Sequence, residues 1–285
     1  VEALNKNTTG CFNQAVGSFA LGCNTEGCQN VAMGMSALIV NTTGDHNVAI
    51  GRLALTANQT ADSNTAVGTE SLRSNTTAAG NSALGYESLE ANTTGGVNVA
   101  IGYRALKTTN EGHSNTAVGH ETLMANTNGT NNTAVGHDAL TANTTGTENT
   151  ALGANALDAN TTGSYNVALG SYSLTADTLG ARNVAIGRSA LQAQNFTSAT
   201  DSYNTGVGYA AGASVTTGTQ NTLIGSLAGD AITTGYYNVA VGASALSANT
   251  TAISNTAVGY ASLAANTTGA NNTAVGTSAL YANTT

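Results

Sequence analysis

Apolar and polar positions alternate along the chain at one fixed spacing. Residues 132–136 read Asn-Thr-Ala-Val-Gly, and 17 residues later residues 149–153 read Asn-Thr-Ala-Leu-Gly. The glycine that closes this motif occurs sixteen times, and every gap is 17 residues except that between Gly187 and Gly208, which is 21. A fixed period of this kind is typical of a solenoid, in which each repeat is one turn stacked on the next.

Numbering each repeat from the motif glycine separates constant from variable positions. Position −1 is aliphatic in every repeat, position −2 is alanine in fourteen of sixteen, and position +4 is leucine in most. Position −4 is always asparagine, position +7 usually asparagine and position +10 usually glycine. Glycine permits positive φ and asparagine tolerates it, so these residues mark corners. Each repeat is predicted to be a short strand, a glycine corner, a second short strand and an Asn-Thr-Thr-Gly turn.

The predicted fold class is therefore all-β, a parallel β-solenoid of about 17 turns that covers residues 1–285 as a single elongated repeat domain. Stacking in register places equivalent residues about 4.8 Å apart. The asparagines at −4 are then expected to form a ladder of side-chain amides, as in stacked cross-β structures. The alternative is that each one serves only its own turn. The ladder comprises Asn13, Asn30, Asn47, Asn64, Asn81, Asn98, Asn115, Asn132, Asn149, Asn166, Asn183, Asn204, Asn221, Asn238, Asn255 and Asn272.

The two apolar columns predict association with other chains. Neighbours in a strand point to opposite faces, and Ala134 and Val135 are such neighbours. The alanine column fits a narrow interior, whereas the aliphatic column lies on the outer face and needs a cover. We therefore expect a homo-oligomer, either a trimer or a filament.

The regular period is interrupted once, by four extra residues between Gly187 and Gly208. They fall within residues 192–202, which are predicted to form a loop that projects from one turn. Such a loop is either a tolerated bulge or a binding element. The next two repeats also differ, because Gly212 and Gly229 replace the usual leucine at +4.

Composition excludes several classes of function. Charged residues make up 8% of the chain, and the seven Lys and Arg residues are too few for a nucleic-acid footprint, so no nucleic-acid partner is expected. No apolar run approaches the roughly 20 residues of a membrane helix, so no membrane insertion is expected in this segment. Disorder is rejected because the 41% of hydrophobic residues occupy fixed columns.

All three cysteines lie in the first repeats. Cys11 and Cys28 occupy the same column in adjacent repeats, and a spacing of about 4.8 Å lies within the Cα range of a disulfide. Cys23 and Cys28 form a competing pair across one turn. Free or interchain thiols and a zinc site are the alternatives, although no fourth Cys or His ligand is close in sequence.

Catalytic chemistry is not expected. Serine, histidine and carboxylate residues form no recognisable nucleophile set, and phosphate-binding, dinucleotide and calcium motifs are absent from the sequence. His120 and His137 share the column after the motif glycine, with Asp138 adjacent, and could hold a metal. We favour two exposed side chains, in a column that also contains Tyr86 and Tyr103. The prediction is accordingly a protein without catalysis, cofactor or metal.

The turn column at +7 contains many Asn-x-Thr triplets, which are N-glycosylation acceptors where the source organism has the machinery. The alternative is that Asn-Thr-Thr-Gly simply makes a good turn. The candidate acceptors are Asn7, Asn41, Asn58, Asn75, Asn92, Asn143, Asn160, Asn249, Asn266 and Asn283.

The repeated Asn-Thr/Val-Ala-Val/Ile-Gly-x-x-Ala/Ser-Leu resembles the head repeats of trimeric autotransporter adhesins over essentially the whole chain. That resemblance implies a left-handed parallel β-roll with three chains packed side by side. The Asn-Thr-Thr-Gly turn makes the repeat longer than is usual in that family. Residues 208–212, Gly-Tyr-Ala-Ala-Gly, are also similar to phage tail-fibre repeats.

These observations predict an extracellular or cell-surface fibre or adhesin rod that presents variable residues to a host surface, matrix or glycan. The column after the motif glycine is the expected contact surface, and its candidate residues are Tyr86, Tyr103, Tyr209 and Tyr260. A phage tail-fibre shaft is one alternative. An ice-binding solenoid, suggested by the regular threonine columns, is another.

Overall fold

A computed structural model describes residues 2–284 of the chain. The described residues are all-β and contain no helix, as the sequence predicted. They form two compact units, Val1–Thr145 (unit 1) and Gly146–Thr285 (unit 2). Each unit is a parallel β-solenoid. The assignment of residues 1–285 to one domain stays a prediction.

Each turn contributes one strand of three residues, at positions −3 to −1. In unit 1 the strands are β1 (Gln14–Val16), β2 (Val31–Met33), β3 (Val48–Ile50), β4 (Thr65–Val67), β5 (Ser82–Leu84), β6 (Val99–Ile101), β7 (Thr116–Val118) and β8 (Thr133–Val135). In unit 2 they are β9 (Thr150–Leu152), β10 (Val167–Leu169), β11 (Gly180–Ala181), β12 (Val184–Ile186), β13 (Thr200–Asp201), β14 (Thr205–Val207), β15 (Thr222–Ile224), β16 (Val239–Val241), β17 (Thr256–Val258) and β18 (Thr273–Val275). The short pair β11 and β13 lies outside the main series.

Successive strands pair in parallel with a shift of one repeat. Ala32 pairs with Ala49, and Ala240 pairs with Ala257. Across the insertion, Ala185 of β12 pairs with Gly206 of β14, so the extra residues leave the register of the main strands intact. Equivalent side chains therefore lie directly above one another within each unit, and the predicted winding of 17 residues per turn is confirmed.

The predicted second strand of each turn does not form. After the motif glycine, positions +2 and +4 adopt left-handed backbone conformations, as at Ser36 (φ 58°) and Leu38 (φ 52°). Alternating left-handed residues coil the backbone, so it cannot extend as a strand requires. The amides still bond between turns, because Leu38 N donates to Ala54 O at 2.9 Å. Stacking thus satisfies the backbone without a second strand.

The interior of each turn is filled by small and branched apolar side chains. Ala32 at −2, Ala37 at +3 and Leu38 at +4 are fully buried, and the same columns are buried in the other turns that have these residues. The strand neighbour Met33 is 44% exposed. The inward face of the strand is therefore the alanine face, and the aliphatic column at −1 lies on the outside, as predicted.

Two turns of unit 2 pack the interior differently. Gly212 and Gly229 stand where other turns have leucine, and a Cβ on Gly229 would lie 2.7 Å from Leu223 Cδ2 and 2.8 Å from Ile232 Cδ1. Leu223 replaces the small alanine at −2, and Val215 and Ile232 replace the asparagine at +7. The leucine volume has moved to the strand, and the polar column has become apolar beside it.

Candidate functional site

The asparagines at −4 form the predicted ladder. In the second turn, Asn30 N donates to Asn13 Oδ1 at 2.9 Å, and Asn30 Nδ2 donates to Gly44 O at 2.8 Å. The same pair of bonds recurs in unit 2, where Asn221 donates to Asn204 Oδ1 and Gly235 O. Asn30 and Asn221 are fully buried. These residues therefore connect the strands to the polar turns from inside the solenoid.

A second buried ladder, at +7, was missed in the sequence. Asn41 Nδ2 donates to Asn24 Oδ1 and to Gly44 O, both at 2.9 Å. Gly44 O is also the acceptor for Asn30, so one carbonyl joins the two ladders in each turn. The signal was present as a recurrent asparagine at +7, but it was interpreted as a turn residue.

This second ladder contains the candidate glycosylation sites. Eight of the ten are fully buried: Asn41, Asn58, Asn75, Asn92, Asn143, Asn160, Asn249 and Asn266. Asn7 is exposed and Asn283 is partly exposed. A glycan is attached through Nδ2, which in the folded chain points into the interior. The structure thus assigns the column an internal structural role, and the surface position that glycosylation requires is found only at Asn7 and, in part, at Asn283.

The three cysteines are free thiols in the structure, so the predicted Cys11–Cys28 disulfide is not formed. The two residues do lie on adjacent turns, but Cys28 Sγ accepts a hydrogen bond from Cys11 N at 3.0 Å. Cys28 Sγ also lies 3.5 Å from Glu26 O. The sulfur atom of Cys28 is therefore engaged with the backbone. A hydrogen bond with Cys28 also raises the pKa of the Cys11 thiol.

The predicted contact tyrosines lie on the surface, at +1 after the motif glycine. Tyr86 and Tyr103 are 43% and 39% exposed, and Tyr209 and Tyr260 are 52% and 61% exposed. In unit 1 the first two stack, with ring centroids 5.6 Å apart. Tyr209 and Tyr260 are three turns apart, so the structure does not bring them together.

The stack in unit 1 continues onto two histidines. His120 lies 5.1 Å from Tyr103, and His137 lies 4.9 Å from His120 with the rings inclined by only 4°. Asp138 follows at +2, with its Oδ1 atom 3.6 Å from His120 Nδ1 and its Oδ2 atom 3.1 Å from His137 Nδ1. The ligand atoms of these three residues all lie within 4.8 Å of one another. Both histidines are exposed, as predicted, but they face the same carboxylate.

An aliphatic stripe lies beside this column. It comprises Val16, Met33, Ile50, Val67, Leu84, Ile101, Val118, Val135, Leu152, Leu169, Ile186, Val207, Ile224, Val241, Val258 and Val275. Every member is at least partly exposed, and the exposed fraction reaches 50% at Leu152 and 71% at Val275. We call this set the aliphatic stripe. Its exposure leaves apolar surface in contact with water in every turn.

Charged side chains cluster in unit 1, which sequence reasoning missed. Glu87, Arg104 and Glu121 share the +2 column, and Arg104 contacts both acids, with Nε 3.0 Å from Glu87 Oε2 and Nη1 3.6 Å from Glu121 Oε1. Lys107 Nζ also donates to Glu87, and this bond lowers the pKa of Glu87 to about 2 despite the opposing effect of burial. Counting columns would have revealed the cluster, because the residues are 17 apart.

The insertion builds a small cleft in unit 2. Thr200 and Asp201 of β13 pair with β11, and the cleft beside them has a volume of about 380 Å³. Its lining includes Tyr165 and Asp201. Arg182 stacks 4.6 Å from the Tyr165 ring, and its Nε atom lies 3.1 Å from Asp201 Oδ2. Residues 192–202 are therefore folded onto the solenoid, with Phe196 buried, instead of projecting freely.

Comparison with known proteins gives no assignment: no protein-family model matches the chain, and no curated protein matches its sequence. Among the described residues, no helix has the length and apolar character that crossing a membrane requires.

Proposed function

We propose that this chain is a structural fibre element, the shaft of an extracellular fibre or adhesin, which assembles from copies of itself along the aliphatic stripe. The observation that carries the proposal is the exposure of one aliphatic side chain in every turn, next to a fully buried alanine. Contiguous exposed apolar surface on a soluble protein marks an interaction site. The internal ladders make each unit a scaffold on which this surface is regularly repeated.

The periodicity of the stripe favours a second copy of the chain as the partner. Side chains in the stripe recur once per turn, so a partner can stay in register only if its own contacts have the same spacing. Another copy meets that condition by construction. Fully burying an aliphatic side chain is worth about 1.5–3 kcal/mol, so covering a half-exposed one adds about 1 kcal/mol per turn. Repetition over many turns makes the sum large enough for stable association.

The column at +1 supports a role in attachment. It varies between turns, whereas the positions beside it are constant, and it presents exposed aromatic rings such as Tyr86 and Tyr260. Aromatic side chains are common anchors at interfaces because they bury a large area and lose little conformational entropy. A fibre that presents this column would contact a host surface, matrix or glycan through it. A phage tail-fibre shaft would use the same scaffold in another particle.

Ice binding is not proposed, because the threonine column at +8 uses its hydroxyls internally. Thr25 Oγ1 donates to Thr42 O at 3.1 Å, and Thr216 Oγ1 donates to Thr233 O at 3.1 Å. These hydroxyl groups hold adjacent turns together, so they support stacking instead of an outward array for water.

The proposal is tested by measuring the mass of the full chain in solution by sedimentation velocity. We expect the wild-type chain to form a trimer or larger species, and the triple variant I50T/L84T/I101T to dissociate. Threonine suits a strand, so the fold should persist, as circular dichroism will check. The control N128T changes an exposed turn residue to the threonine common in that column, and it should associate normally. A wild-type chain that stays monomeric at all concentrations would refute self-assembly.

A further inference from the structure

His120, His137 and Asp138 form the one group of three metal-ligating side chains that the described residues bring together. The solenoid creates the group by stacking: His120 and His137 occupy the same column in adjacent turns, and Asp138 follows His137 in the chain. The backbone fixes this arrangement, because Asp138 N donates to His120 O at 3.0 Å. The histidine side chains are 47% and 60% exposed, so an ion has access to them from solvent.

The distances suit a tetrahedral ion. Zinc bonds of about 2.0–2.1 Å to imidazole nitrogen and carboxylate oxygen place neighbouring ligand atoms about 3.3–3.4 Å apart at the tetrahedral angle. The observed separations between Nδ1 and carboxylate oxygen, 3.1 Å at His137 and 3.6 Å at His120, bracket that value. All three ligand atoms are within 4.8 Å, so small rotations of exposed rings complete the geometry.

The carboxylate itself has an unused acceptor. Asp138 Oδ1 is buried and accepts no hydrogen bond, although buried polar atoms usually have a partner. Both imidazoles turn Nδ1 towards this carboxylate instead of towards solvent. Two nitrogen ligands and one oxygen ligand form a set that binds borderline divalent metals, of which zinc and copper are the usual occupants.

We propose that His120, His137 and Asp138 bind a divalent transition metal, Zn²⁺ in the first place, with three protein ligands and one open position. An ion there ties two adjacent turns together across their surface. It lies on the same aromatic column as Tyr86 and Tyr103, at the end where the stack changes from tyrosine to histidine. The inference does not depend on self-assembly of the chain.

The experiment titrates Zn²⁺ into the full chain by calorimetry, with Co²⁺ as the spectroscopic probe of ligand type. We expect one site per chain, with a Co²⁺ spectrum of nitrogen and oxygen ligands. The variants H137N and D138N should each weaken binding by at least about tenfold, since each removes one of three ligands. The control H113N alters an exposed histidine outside the group and should bind as the wild type does.

Two results would overturn the proposal. One is equal Zn²⁺ affinity in the wild type, H137N and D138N. The other is a Co²⁺ spectrum dominated by sulfur charge transfer that disappears in C11S/C28S, which would place the ion at the thiols. His137 is exposed, so H137N should fold normally; a second variant, H120N, provides an independent check that loss of binding follows loss of a ligand.

Discussion

At the scale of single residues, the interior amide ladders depend on each position having both a donor and an acceptor. An asparagine side chain supplies both, so identical residues can bond in an unlimited series. Thr109 interrupts the second ladder in unit 1, because its hydroxyl cannot reach as an amide does. Asn92 Oδ1 is consequently buried without a hydrogen bond, and Asn126 Nδ2 is 3.4 Å from Thr109 Oγ1.

Restoring the missing amide should stabilise the protein. The variant T109N gives Asn92 Oδ1 a donor and gives Asn126 Nδ2 a nearer acceptor. Satisfying one buried polar group is worth about 1–3 kcal/mol, so the unfolding midpoint in denaturant should rise. The control T94N adds the same amide at an exposed turn position, where it should have little effect. A T109N chain no more stable than T94N would show that the gap at Asn92 costs nothing.

The motif glycines combine two constraints that one pair of variants separates. Gly242 has φ 136°, and a Cβ there would lie 2.5 Å from Gly259 O of the next turn. Gly276 has a similar φ of 127°, but the nearest atom to its Cβ would be Ala279 Cβ at 3.9 Å. G276A should therefore cost only the conformational strain, about 1–3 kcal/mol. G242A adds the clash between turns.

We expect G242A to lower the unfolding midpoint clearly more than G276A, by an amount equivalent to about 1–3 kcal/mol of overpacking. Chemical denaturation of both variants beside the wild type measures the difference. Equal losses would mean that neighbouring turns move apart at no cost, which would contradict the close stacking of the glycine corners.

At the scale of one element, the turn that carries the insertion replaces amides with a carboxylate. Asp177 and Gln194 stand where other turns have asparagine, and Gln194 Nε2 donates to Asp177 Oδ2 at 2.6 Å. Gly180 N and Phe196 N also donate to Asp177 Oδ1, at 3.0 and 3.4 Å. Asp177 thus anchors the inserted segment, but it is fully buried. Burial raises the pKa of its carboxyl above the usual value.

This raised pKa predicts how D177N responds to pH. The native state binds the proton of Asp177 more tightly than the unfolded chain does. The resulting contribution to stability is fully present below about pH 3.9 and is lost as pH rises through the folded pKa. The substituted amide does not titrate, so the stability of D177N relative to wild type should increase from pH 3 to pH 7, as measured by denaturation at several pH values. A difference that is constant, or that changes in the opposite direction, would contradict a raised pKa.

At the scale of the whole molecule, the chain combines few charges with many repeated contacts. Its net charge of −8 is modest for 285 residues, and ion pairs in unit 1 neutralise part of it. Weak self-repulsion is compatible with assembly along the aliphatic stripe. Within each unit every turn contacts its neighbours by the same bonds, so stability accumulates turn by turn, as in other repeat proteins.

The sequence alone determined the period, the strand positions, the inward alanine and leucine columns and the ladder that begins at Asn13. These follow from repetition, because a residue that recurs every 17 positions must recur in the same environment if the turns stack. The exposed position of Tyr86 and the other +1 tyrosines was predictable on the same grounds. Association, attachment and localisation remain predictions.

The tertiary structure decided what the columns do to one another. Which backbone residues become left-handed, and whether the asparagine at +7 points inward, depends on how the coil closes, and a repeat read by itself does not contain that geometry. The grouping of Glu87 with Arg104 and Lys107, and of His120 with Asp138, likewise arises between turns. Periodicity states which residues are equivalent, but only the packed coil shows which of the non-equivalent ones touch.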